Sequence, residues 1–173
     1  MNDNECILLT IKIKDDLKKT INTIRNKEFK KTGNPSFRIF NNSLILGLYN
    51  GEKLPQNIEL PDNKITIKSS AYLVEGILYY GIENDFALLK DKINSKVDFT
   101  LLNKYFPLST IINKELNPLI YLANNIEVNH SSYNLNESYI LDDFKIELIK
   151  VHIGNCGITY SIVDYRHLQN YIV

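Results

Sequence analysis

Alternation of apolar and polar positions marks the start of the chain. Over 6–13, Ile7, Leu9, Ile11 and Ile13 take every second place, the period of a strand with one buried face. Asp15 then reads as a helix N-cap. Leu17, Ile21, Ile24 and Glu28 recur at helical spacing until Gly33, a residue suited to the left-handed turn that stops a helix. Residues 37–49 read as extended, 43–49 most clearly, and 51–61 is a polar connection with Pro55 and Pro61. Strands are predicted over 65–74 and 77–82, turning at Glu75-Gly76. Asn84 can cap a helix whose apolar face is Phe86, Leu88, Leu89 and Ile93. A short strand over 108–112 and a short helix over 116–123 follow, the latter with Pro118 early. The Asn- and Ser-rich stretch 124–137 reads as loop. Two strands, 144–153 and 158–168, close the chain around Gly154-Asn155-Cys156-Gly157.

Strand, helix and strands, then helix and strands again, describe an α+β fold. The expected form is two lobes of antiparallel sheet, related by a pseudo-two-fold, with flanking helices and a central cleft. No composition shift or linker divides residues 1–173, so a single domain is expected.

Charge narrows the function. Lys+Arg and Asp+Glu both number 20, for zero formal net charge. Duplex-binding proteins draw affinity from phosphate neutralisation and carry a basic excess, so duplex nucleic acid is not expected as partner. A small anion needs only a few donors. Cys6 and Cys156 lack metal or redox spacing and read as small hydrophobes, so neither metal nor cofactor is expected. The N-terminal residues carry no basic leader, and no apolar run approaches membrane-spanning length; a cytoplasmic protein is expected. Richness in Ile, Asn and Lys fits an AT-rich bacterial or viral genome.

Residue chemistry alone yields no catalytic set. His130 falls in the polar loop, and His152 and His167 in the closing strands, none with a predicted partner. There is no nucleophile elbow and no Gly-rich phosphate loop.

Two stretches carry a resemblance. Asn42-Ser43-Leu44-Ile45-Leu46-Gly47-Leu48-Tyr49-Asn50-Gly51-Glu52 resembles the first signature of the 2H phosphoesterases, His-x-Thr-Leu followed by an apolar pair and a Gly turn. Phe106-Pro107-Leu108-Ser109-Thr110-Ile111 resembles the second, Pro-His-x-Thr-Leu. The order of elements and the closing strand pair are similar as well. That family includes the RNA 2′,3′-cyclic phosphodiesterases and 2′-5′ RNA ligases. In it, two histidines face each other as general base and general acid, and the hydroxyl two residues on holds the phosphate.

The resemblance therefore implies a degenerate member. Ser43 replaces the first histidine, Ile45 its threonine and Leu108 the second histidine, while Thr110 keeps its type. Losing two proton-transfer groups, each worth about 10²–10⁴-fold, removes the reaction. The expectation is a catalytically inactive protein that binds and sequesters a nucleotide or cyclic oligonucleotide signal, as a phage or viral counter-defence sponge would. Ser43, Ile45, Leu108 and Thr110 would line its site, Lys12, Lys14 and Arg38 would supply charge, and Tyr49, Tyr105 and Tyr160 would stack on bases. Two other readings stand beside it. One is a phosphodiesterase using unconventional groups, His130 foremost, on a cyclic nucleotide or an RNA 2′,3′-cyclic end. The other is a protein-interaction domain whose cleft is filled by Ile45 and Leu108.

Overall fold

A computed structural model describes residues 5–38, 42–49, 53–54, 64–83, 119–142, 145–154 and 157–167. The expected helix after Asn84, the strand over 108–112 and the second signature stretch, with Tyr105, Leu108 and Thr110, lie outside the described residues.

Strand β1 (Glu5–Lys12) leads into helix α1 (Asp15–Thr32). The N-cap position is Lys14, extended at φ −64° and ψ 155°, so the expected cap at Asp15 is displaced by one residue. Asp15 and Asp16 instead occupy the first turn, where carboxylates favour the positive end of the helix dipole, and Asp16 accepts the Leu17 amide at 2.9 Å. Gly33 ends the helix as expected, at φ 69°, its amide donating to the Phe29 carbonyl. Pro35–Arg38 then forms a 3-10 turn rather than the extended segment expected from residue 37. Pro35 presets the first helical φ of that turn.

Strand β2 (Ser43–Leu48) pairs antiparallel with β1. β3 (Ile65–Val74) and β4 (Ile77–Ile82) form the predicted hairpin. Glu75 at φ 50° and Gly76 at φ 79° make its two-residue turn, the left-handed pair that matches strand twist. β5 (Ile120–Ala123) corrects the helix expected over 116–123. Its four residues are all buried and pair with β4; so short an apolar run has no period to separate strand from helix, and tertiary pairing decides. β6 (Tyr139–Leu141) is a short strand that the sequence reading placed in no element. β7 (Lys145–Gly154) and β8 (Gly157–His167) close the chain as an antiparallel pair.

The described residues form two antiparallel four-stranded sheets, with orders β2-β1-β7-β8 and β5-β4-β3-β6. Among the described residues, a bridge between Ile45 and Leu119 joins them. One apolar cluster unites them with α1. Ile7, Leu9, Ile11, Leu44, Ile146 and Leu148 come from one sheet, Ile67, Leu78, Tyr80, Ile120 and Leu122 from the other, and Leu17 and Ile21 from the helix. Because strand side chains alternate, the residues between these point to the opposite face. That face is buried too: Leu8, Thr10, Ile149 and Val151 are all at 0% exposure. No helix among the described residues is long and apolar enough to cross a membrane.

Candidate functional site

The site is built where β2 and β5 touch. Ile45 N donates to Leu119 O at 2.8 Å, and Leu119 N donates to Ile45 O at 3.0 Å. In such an antiparallel pair the two side chains share a face. Here it is the one opposite the core cluster, since Leu44, Leu46, Ile120 and Leu122 lie in that cluster and Ile45 and Leu119 do not. Continuing the register by two residues sets Tyr121 opposite Ser43. At that point the strands part. The Arg25 guanidinium, carried in by α1, fills the fork: Nη1 donates to Asn42 Oδ1 at 2.6 Å and Nη2 donates to the Tyr121 carbonyl. Asn42 is held in turn by Asn22, at 2.6 Å.

Ser43 is 1% exposed, and its hydroxyl has no hydrogen-bond partner among the described residues. A buried hydroxyl left unpaired costs about 1–3 kcal/mol. Across β1, Ser43 is register partner to Lys12, and Lys12 to Lys145 of β7. The next row inward is Ile45, Thr10, Glu147 and Tyr165. Glu147 is 2% exposed and lies 3.6 Å from Lys145 Nζ; that ammonium also sits 3.7 Å from the centre of the Tyr165 ring. The face therefore runs from a row buried at Ile45, Thr10 and Glu147 and exposed at Tyr165 to a row of hydroxyl and ammonium groups that emerges into solvent at Lys12.

Tyrosines line the other sheet on the same side. Tyr72 pairs with Tyr79, and Tyr79 with Tyr121. The Tyr72 and Tyr79 rings stack at 5.8 Å. Burial raises the Tyr79 hydroxyl above the ordinary phenol range and the Tyr121 hydroxyl well above it, so both are neutral at physiological pH and no source of a base.

Of the residues singled out from sequence, Ser43, Ile45 and Lys12 come together on this face. Lys14 sits beyond its rim in an ion pair with Asp142, whose carboxyl that lysine holds below the usual range. Arg38 lies at the end of the 3-10 turn with its guanidinium 3.9 Å above the Phe29 ring. Tyr49 is 6% exposed within the apolar cluster. Tyr160 is register partner to Val151 in the closing hairpin, and its side chain lies outside the described residues. His130 is exposed in the loop after β5, its ring 5.8 Å from that of Tyr133. His152 lies 3.6 Å from Glu5 on the far end of β7. Among the described residues no cluster of His, Cys, Asp and Glu could hold a metal ion.

Sequence reasoning passed over Thr10, Leu119, Tyr121, Lys145 and Glu147. For β5 a signal existed: Pro118-Leu119-Ile120-Tyr121-Leu122 matches the outline of the second signature as well as residues 107–111 do.

Solved structures superpose on nearly the whole chain. Escherichia coli LigT complexed with 3′-AMP aligns over 96% of this chain and 99% of its own, with a TM-score of 0.54 and 14% identity. A Thermus thermophilus protein covers the same shares at a TM-score of 0.59 and 9% identity. A structure described as a phosphoesterase gives 0.53 and 15% over equal coverage. LigT was also solved with ATP and with NADP+. No family model matches the sequence, and no curated protein does. Two antiparallel four-stranded sheets, the helix after the first strand and end-to-end superposition on LigT together establish that this chain has the 2H phosphoesterase fold.

Proposed function

We propose that the protein captures a nucleotide or cyclic oligonucleotide on the β2–β5 face and returns it unchanged. The observation that carries this reading is Ser43. It stands where the resemblance calls for the first histidine, it offers a buried hydroxyl with no partner among the described residues, and a hydroxyl can hold a phosphate oxygen but cannot act as a base near neutral pH. Neighbours of the same fold solved with 3′-AMP and ATP support a nucleotide as the ligand class. Sequestration of a signalling nucleotide, in the cytoplasm of a host infected by a phage or virus, is the role such a binder would serve.

The decisive experiment incubates the protein with 2′,3′-cyclic AMP, 3′-AMP, ATP and cyclic di- and trinucleotides. Melting is measured first, and whatever is bound is then released by heat and chromatographed. A ligand at about a hundred times its Kd raises stability by roughly 2.7 kcal/mol, and it should be recovered intact. Cleaved product would overturn the reading.

One observation favours a second reading. Ser43, Ile45 and Leu119 are each only 1% exposed, as a face filled for protein interaction rather than ligand would be. Absence of any nucleotide-dependent melting shift would decide for it.

A further inference from the structure

We infer that Ser43, Lys12 and Lys145 form a phosphate seat on the β2-β1-β7 side of the candidate site, with Lys145 as a binding residue. The inference takes its ligand class, a nucleotide phosphate, from the reading above. Its geometry shares the Ser43 hydroxyl with that reading and adds the strand register that brings in the two lysines. Ser43 pairs with Lys12 and Lys12 pairs with Lys145, so three adjacent strands place a hydroxyl and two ammonium groups in one row on one face. Neighbouring strands lie about 4.8 Å apart, so a single phosphate between two of them meets donors from both.

Two features of the row ask for an anion. Like charges directly opposite each other across a strand pair destabilise a sheet, and Lys12 and Lys145 are such a pair. Glu147 offsets Lys145 from 3.6 Å, a separation beyond hydrogen bonding, whereas Lys12 is exposed with no ion pair among the described residues. The second feature is the Ser43 hydroxyl at the end of the row, buried and unpartnered among the described residues. An oxyanion resting on Lys12 completes both, taking hydrogen bonds from the hydroxyl and the ammonium groups; charge-assisted bonds of this kind are about twice as strong as neutral ones. Tyr165, 60% exposed and packed against the Lys145 ammonium, forms the outer wall of the seat.

The test measures affinity of wild-type protein and of Lys12→Met, Lys145→Met and Ser43→Ala for 3′-AMP, 2′,3′-cyclic AMP, adenosine and inorganic phosphate. Lys27→Met, on the exposed side of α1, is the charge control, and melting temperatures check that every variant folds. The expected result is binding of phosphorylated ligands but not adenosine. Each lysine variant should weaken it roughly tenfold, the size of a lost charge-assisted contact, while Lys27→Met leaves it unchanged. Wild-type affinity in both lysine variants, with loss in Ser43→Ala, would overturn the seat and leave nucleotide capture standing. Lysine-dependent binding of inorganic phosphate without any nucleotide would do the reverse.

Discussion

Ile45 and Leu119 exchange both of their backbone hydrogen bonds, at 2.8 and 3.0 Å, and this bridge is where the two sheets join. The bridge turns Ile45 and Leu119 to the same face, makes Tyr121 the position opposite Ser43, and opens the fork that Arg25 fills. Two aliphatic side chains, each 1% exposed, occupy the centre of the seam among the described residues. The polar groups are displaced to one side, toward Lys12 and Lys145.

Stability and binding should respond in opposite directions to Ser43→Ala. The wild-type hydroxyl is buried without a partner among the described residues, so its removal relieves a desolvation cost. The expected gain is about 1 kcal/mol in urea unfolding, together with weaker nucleotide binding. A variant that loses stability would mean that the hydroxyl is satisfied in solution.

Arg25 braces the seam. It is 4% exposed and joins Asn42, next to Ser43, to the Tyr121 carbonyl, 96 residues further along the chain than Arg25 itself. Arg25→Met should cost about 2–3 kcal/mol by chemical denaturation, because two buried acceptors lose their donor. Arg25→Lys should recover less than half of that, since one ammonium cannot reproduce the planar fork. Equal stability of the lysine variant and wild type would show that charge, rather than bidentate geometry, holds the fork.

Alkaline pH should unfold the protein. Desolvation raises the hydroxyls of Tyr80 and Tyr121, and burial with a hydrogen bond to Asp16 pushes Tyr139 up to about 12. An unfolded tyrosine ionises near pH 10. Groups raised in the folded state contribute stability that is complete below pH 10 and is lost as pH climbs through their folded values. Melting temperature should therefore hold from neutrality to about pH 9.5 and fall steeply beyond it, with tyrosinate absorbance rising together with unfolding. Tyr80→Phe should blunt the fall, at a cost of about 1–2 kcal/mol at pH 7 for the lost bond from its hydroxyl to the Tyr133 carbonyl.

Local pattern determined a good deal on its own. Period-two alternation located β1, apolar stretches around Glu75-Gly76 and around residues 154–157 located the β3–β4 hairpin and the β7–β8 pair, and Gly33 marked the end of α1, because strand facing, turn chirality and helix termination are settled within a few residues. Local pattern also carried the resemblance to the 2H phosphoesterases, and it brought Ser43, Ile45 and Lys12 forward as candidates for the proposed site. The identity of β5 and the part played by Lys145 were decided only by tertiary structure. A buried run of four residues is a strand only because β4 is there to pair with it. Lys145 joins Lys12 and Ser43 only because β7 lies beside β1 in one register, when a slip of one residue would turn its side chain to the other face. Register between strands so far apart along the chain is set by the burial of both together, and no window along either one contains it.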